Sequence, residues 1–310
     1  MGFLHLFGGL VLLLGGAELL VRGAGRIALA LHIPVMVVAL TVVAFGTSMP
    51  ELIVSLFAAA EGKPELSLAN VTGSNTANIA LVLGLAAMVR PLAVGRDLMR
   101  REVPAALLLQ LMVPVMLIDG GLSRVDGGVL LLTGVGYNAL LMRDAFAGRA
   151  IPDDADDLEA GGTWLANGLM VLGGGVGLWL GAEFFVMGAV SLAEWMGFSD
   201  RVIGLTVVAL GTSAPEAVTA MVSAARDEAD MAVGNSLGSN ILNISMVLGI
   251  TAMVHPIILM DRGAFADLAV AMMVALMLIP IVLRGAGLSR VEGGMLVGAY
   301  AVYLLTLTIV

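Results

Sequence analysis

The sequence predicts an all-α integral membrane protein of ten transmembrane helices, arranged as two inverted five-helix repeats. Three observations lead there. Of the 310 residues, 59% are hydrophobic and 13% charged, with a mean hydropathy of +1.02; at about 20 apolar residues per crossing there is room for roughly ten spans. One unusual segment occurs twice, Ala44-Phe45-Gly46-Thr47-Ser48-Met49-Pro50-Glu51 and Ala209-Leu210-Gly211-Thr212-Ser213-Ala214-Pro215-Glu216, 165 residues apart. The remaining charges gather in short joints between apolar runs.

Taken in order, the apolar runs of the first half fall at 3–21, 34–60, 66–89, 103–119 and 125–142. The N-terminus, Met1-Gly2-Phe3-Leu4, has neither a basic leader nor a small-residue cleavage site, so the first run reads as a retained span. The second run carries the first copy of the repeated segment. The third carries Asn70, Ser74 and Asn78 at i, i+4 and i+8, one helix face. The fourth and fifth are joined through Gly121-Leu122-Ser123-Arg124-Val125-Asp126-Gly127-Gly128. A joint at 143–163 follows, with Asp153, Asp154, Asp156, Asp157 and Glu159, and reads as a solvated acidic linker.

The second half repeats this order at 164–190, 199–225, 231–254, 264–283 and 291–309. Residues 68–91 and 233–256 agree at 13 of 24 positions, where composition alone gives roughly two or three. The joint returns as Gly287-Leu288-Ser289-Arg290-Val291-Glu292-Gly293-Gly294, and Gly16-Ala17-Glu18-Leu19 as Gly181-Ala182-Glu183-Phe184. The domains are therefore 1–142, the linker 143–163, and 164–310.

Five spans is an odd number, so the second half enters the membrane from the opposite side. Such inverted repeats are the architecture of alternating-access transporters. Eleven of the fifteen Lys and Arg residues fall in joints on the side away from the N-terminus, and Lys63, Arg124, Arg201 and Arg262 on the other. The positive-inside rule then makes the linker cytoplasmic and both termini extracytoplasmic, in a multi-pass protein of the plasma (inner) membrane. Cysteine is absent, which excludes disulfides and thiolate metal sites.

A carboxylate at bilayer depth costs about 2.5 to 3.5 kcal/mol even on insertion scales, so it faces a partner or a polar path. Two, at equivalent positions, point to a twofold-related ion site near the midplane. Pro50 and Pro215 lack an N–H, which leaves the carbonyls of Gly46 and Gly211 without helical partners. The two glycines are expected to allow local unwinding there. Thr47 and Ser48 share a face with Glu51, and Thr212 and Ser213 with Glu216. The donors are hard oxygens, suited to calcium, sodium or magnesium rather than zinc or copper.

In the third and eighth spans, Ser74 and Asn78 repeat as Ser239 and Asn243 and read as ligands. Asn70, Asn75, Asn235 and Asn240 read either as ligands or as interhelical hydrogen-bonding groups. Glu18 and Glu183 read as structural or gating groups, Glu18 pairing with Arg22 at i,i+4. His5, His32 and His255 lie near span ends, so a serine-type intramembrane hydrolase has no general base and an enzyme is not expected.

Gly-Thr-Ser-x-Pro-Glu followed by Gly-Ser-Asn-x-x-Asn, in both halves, resembles the cation/calcium exchanger superfamily, specifically its prokaryotic-type sodium/calcium exchangers. The resemblance implies spans 2, 3, 7 and 8 packed as a core, with spans 1 and 6 sliding across it. It implies that Glu51 and Glu216 ligate calcium, and that Thr47, Ser48, Thr212, Ser213, Ser74 and Ser239 give hydroxyls to sodium sites. The carbonyls of Ala44 and Ala209 join that set, and Asn78 and Asn243 complete the central layer. Some members carry Asp where Asn243 stands, so this centre has two carboxylates.

The expected function is sodium/calcium antiport by alternating access, electrogenic and in the direction of calcium extrusion. Proton/calcium exchange is the alternative, and a cation channel fits inverted repeats with interrupted helices less well. The partners are calcium and sodium ions and the lipid bilayer, with no cofactor, no nucleic acid and no obligate protein partner.

Overall fold

The computed structural model describes residues 2–93, 96–147, 162–197, 209–259, 263–284 and 287–309. The acidic run Asp153 to Glu159, the first part of the seventh expected span, Arg149, Arg201 and Arg262 lie outside the described residues. The described residues are helical almost throughout. Among the described residues seven helices are long and apolar enough to cross a membrane, or eight when one bent pair counts as a span.

The helices are α1 (Gly2–Leu31), the pair α2 (Val35–Thr47) and α3 (Met49–Ala60) bent by 43°, and α4 (Glu65–Val89). Next come α5 (Arg96–Met116), α6 (Arg124–Phe146) and α7 (Trp164–Trp195). The described part of α8 (Ala209–Thr212) precedes α9 (Ala214–Ala225) and α10 (Ala229–Val254). The chain closes with α11 (Gly263–Leu276), α12 (Leu278–Arg284) and α13 (Arg290–Ile309).

The repeated Gly-Leu-Ser-Arg-Val-Asp/Glu segment is a helix start. Ser123 accepts from the Asp126 N–H while the Asp126 carboxylate accepts from the Ser123 N–H, a reciprocal cap on α6. Ser289 and Glu292 do the same for α13. The residues just before these caps tie the halves together. β1 (Gly121–Leu122) pairs antiparallel with β2 (Ile257–Ile258), and Leu92 bridges to Leu288.

α1 runs ten residues beyond the expected end of the first span, so Arg22 and Arg26 lie on the helix rather than in a joint. The helix continues because Gly23, Ala24, Gly25 and Ala28 bury a small-residue face there. Arg22 pairs with Glu18 at 2.6 Å across one turn. Glu18 also takes Arg226, after α9, at 3.2 Å, which ties α1 to the core and gives Glu18 a structural role. Burial raises the nearby Glu228 carboxyl to about 7, with Arg226 opposing the rise and Glu18 adding to it. Glu183, its counterpart on α7, is exposed.

α1 packs along α7 on a glycine seam. Gly2, Gly9, Gly16 and Gly23 recur every seventh residue, as do Gly174, Gly181 and Gly188. The helices run antiparallel: a Cβ on Gly9 would lie 2.8 Å from the Gly181 carbonyl oxygen, and one on Gly16 2.8 Å from that of Gly174. Backbones this close pack through van der Waals contact where lipid supplies no hydrophobic drive. Gly16→Ala, whose methyl would also lie 2.6 Å from the Leu178 nitrogen, is expected to cost about 1–3 kcal/mol. Gly15→Ala, on the exposed side of the same turn, should be neutral or stabilising by up to about 1 kcal/mol. Equal melting temperatures for the two variants in detergent would refute the seam.

α4 and α10 are the most enclosed helices, each 78% buried over its most apolar window, against 22–39% for the other spanning candidates. They are also the helices with the Ser/Asn stripes, so the polar residues sit at the centre of the molecule. Gly238 sets one approach: a Cβ there would lie 2.7 Å from Leu40 Cα and 2.8 Å from Ala44 Cβ. Only glycine lets α10 press against α2 and bring Ser239 to Thr47.

Candidate ion-binding site

The repeated segments break their helices at Ser48 (φ −85°, ψ 2°) and Ser213 (φ −88°, ψ 4°). This corrects the expectation of unwinding at glycine: Gly46 and Gly211 are helical. The proline ring clashes with the carbonyl four residues back, and the serine between them leaves the helical region instead. Pro50 and Pro215 then sit at the start of α3 and α9, where the missing N–H costs nothing. Gly211 serves close packing, since a Cβ there would lie 2.0 Å from Val186 Cγ2.

The breaks aim polar groups at one another. Glu51 and Glu216 fall in the first turns of α3 and α9, where the helix dipole favours negative charge. Thr47 ends α2 and Thr212 ends α8; a helix C-terminus favours cations. Glu51 and Glu216 are each 1% exposed. Ser74 on α4 donates to Glu51 Oε1 at 3.4 Å. The Thr47 hydroxyl lies 3.1 Å from Asn235 Oδ1, 3.3 Å from Ser239 Oγ and 3.3 Å from the Ala44 carbonyl oxygen.

Asn78 and Asn243 sit where α4 and α10 widen into a π-helical turn, Asn78–Val82 and Asn243–Leu248. Such turns recur at functional positions because they re-aim side chains. Asn78 Nδ2 donates to Asn240 Oδ1 at 3.0 Å, and Asn243 Nδ2 to Asn75 Oδ1 at 3.1 Å.

Seven buried oxygens of the expected ligands have no hydrogen-bond partner within 3.5 Å: Ser48 Oγ, Glu51 Oε2, Asn78 Oδ1, Ser213 Oγ, both carboxylate oxygens of Glu216, and Asn243 Oδ1. An unsatisfied buried acceptor costs about 1–3 kcal/mol, more for a charged one. A cation relieves that cost. Among the described residues no three His, Asp or Glu side chains gather as a metal cluster, so the site relies on two carboxylates plus neutral oxygens, a donor set of the hard-cation kind.

The side chains of Thr47, Ser48, Glu51, Ser74, Asn78, Ser213, Glu216, Ser239 and Asn243 are thus buried, with Thr212 half-buried. The Ala44 carbonyl already accepts the Ser48 N–H at 2.9 Å, and Ala209 is the first described residue of α8. Asn70 is a buttress: its Nδ2 reaches Ser55 Oγ at 3.1 Å and the Glu51 carbonyl oxygen at 3.3 Å.

Sequence reading missed Thr219 and Ser223, buried with unpartnered hydroxyls on the Glu216 face of α9 at i+3 and i+7, a periodicity that was available. It also missed Gln110, a lone amide within the apolar α5 that accepts from Asn75 at 3.1 Å. Glu102 on α5 is buried beside Arg101 at 3.8 Å, and no spacing signals it.

Comparison with known proteins gives the family and the fold. The family model described as sodium/calcium exchanger protein matches residues 1–142 and 167–309. The chain is 38% identical over 306 residues to CaxA of Alkalimonas amylolytica, named as a candidate antiporter, covering 95% of both chains. It is 30% identical over 345 residues to the sodium/calcium exchanger MaX1 of Methanosarcina acetivorans, covering 98% of each. Its structure matches the sodium-calcium exchanger NCX_Mj soaked with sodium and strontium at a TM-score of 0.84 and 30% identity, over 98% of this chain and 97% of that one.

Proposed function

From the premise that the chain belongs to the sodium/calcium exchanger family, we propose that it exchanges sodium for calcium across the membrane by alternating access. The family makes it a membrane cation/calcium antiporter; the choice of sodium as the driving ion is the further step. The observation that carries it is the set of seven unpartnered oxygens around Glu51 and Glu216. Calcium binds between the two carboxylates with the amide oxygens of Asn78 and Asn243. Sodium takes the hydroxyls of Thr47, Ser48, Thr212, Ser213, Ser74 and Ser239 with the carbonyls of Ala44 and Ala209. A proton needs no such cage of hydroxyls, which favours sodium over proton/calcium exchange. Buried, donor-poor carboxylate oxygens on Glu216 keep that second reading testable.

The scaffold in this reading is ten spans in two inverted repeats, 1–142 and 164–310, with α1 and α7 moving as a pair on their glycine seam. Calcium-45 uptake into proteoliposomes tests the function. An outward sodium gradient should drive uptake at neutral pH, and an outward proton gradient should not. The reverse result would replace sodium with protons.

Orientation follows from the Lys/Arg asymmetry, with both termini outside. A cysteine appended after Val310 should react with an impermeant thiol reagent on intact cells, and one placed near residue 155 only after the cells are opened. No native cysteine interferes. Labelling of both from one side would break the even count of spans.

A further inference from the structure

The geometry points to Asn75 and Asn240 as a crossed pair of positioning residues, each holding an ion-ligand asparagine of the opposite half with its oxygen toward the ion. This deepens the proposed ion site and rests on it. Asn75 Nδ2 donates to the backbone carbonyl of Asn240 at 3.3 Å, and Asn240 Nδ2 to that of Asn75 at 3.2 Å. A carbonyl only accepts, so the atom facing it is the NH2 in both cases. That fixes the other branch of each amide as Oδ1, independently of how the amides are drawn.

The consequence passes to the next residue. Asn75 Oδ1 can only accept, so the atom of Asn243 lying 3.1 Å away is its Nδ2. By the same step the atom of Asn78 lying 3.0 Å from Asn240 Oδ1 is Nδ2. Asn78 Oδ1 and Asn243 Oδ1 therefore point away from the pair, and both are buried without a protein donor. A free asparagine must be turned by the cation itself to present its oxygen; these two are held in that orientation beforehand. Gln110 supplies a further acceptor to Asn75 at 3.1 Å, on the first-half side of the pair.

An aspartate has oxygen on both branches and needs no such orientation, and this sets the test. Asn75→Ala should raise the apparent KM for calcium by about 10- to 100-fold, the usual cost of removing an outer-shell partner. The maximal rate should change less. In an Asn243→Asp background the same Asn75→Ala change should have little effect, whereas in an Asn78→Asp background its full effect should remain. Asn240→Ala should show the mirror pattern, suppressed by Asn78→Asp and not by Asn243→Asp.

Purely structural hydrogen bonding would give equal losses in both backgrounds, and that result overturns the assignment. Suppression by the ligand of the same half overturns the crossing. If Asn75→Ala does not fold, the Asn240→Ala series makes the same test, and loss of fold in both would make the pair structural. Failure of the ion site itself has a different signature, namely calcium transport that survives Glu51→Gln and Glu216→Gln.

Discussion

Glu51→Gln and Glu216→Gln should each abolish sodium-driven calcium uptake in proteoliposomes and leave the protein folded. Each change keeps the shape and one ligand oxygen but removes one unit of charge from a fully buried centre. Breaking a buried ion pair by removing one partner costs about 3–5 kcal/mol, which is more than about a hundredfold in affinity. Calcium suffers more than sodium, because a divalent ion surrenders a costlier hydration shell to the same oxygens.

Stability should move the other way. Without ions, Glu216 holds two buried carboxylate oxygens with no hydrogen-bond partner within 3.5 Å, so a neutral amide there lowers the cost of burial. The melting temperature of Glu216→Gln in calcium-free buffer therefore holds or rises. The upward shift that calcium gives the wild-type protein by binding the folded state alone disappears. Normal uptake by either purified variant, or a calcium-induced shift equal to wild type, would remove these carboxylates from the site.

The composition of this centre was legible in the sequence because it depends on residue types at helical spacing, and duplication doubled every signal. Glu51 with Thr47 and Ser48, and Ser74 with Asn78, each recur at the equivalent place. What the spacing could not carry is orientation. Nothing in the order of residues says which branch of Asn78 or Asn243 bears the oxygen, because the acceptors that decide it are backbone carbonyls on another helix.

The hinge was misplaced for a related reason. Glycine permits unwinding, yet a dihedral changes where the chain is most constrained, and the proline clash delivers the change to Ser48 and Ser213. The seven-residue glycine spacing of α1 and α7 was in plain view, but each series has meaning only against the other. Charges misled at Arg22 and Arg26, where a helix continued through residues that suggested a joint.

Transport should respond to membrane potential, with an inside-negative potential accelerating sodium entry coupled to calcium exit. The central cluster holds two carboxylates, since Asn stands at both 78 and 243 and no third acidic group joins them among the described residues. One calcium ion brings that cluster to zero. Three sodium ions, the number implied by resemblance to the family, bring it to +1. On that count one positive charge would move per cycle, in the sodium-loaded half-cycle. Moving that charge across the membrane is worth about 2.3 kcal/mol per 100 mV, enough to bias the cycle strongly toward calcium extrusion. The measurement is sodium-driven calcium flux in proteoliposomes with the potential clamped by valinomycin and potassium. Asn243→Asp adds a third carboxylate, leaves the calcium-loaded centre at −1, and should make flux depend on pH or on a further monovalent ion. Flux indifferent to potential in the unmodified protein would contradict the two-carboxylate, three-sodium reading and leave electroneutral exchange in its place.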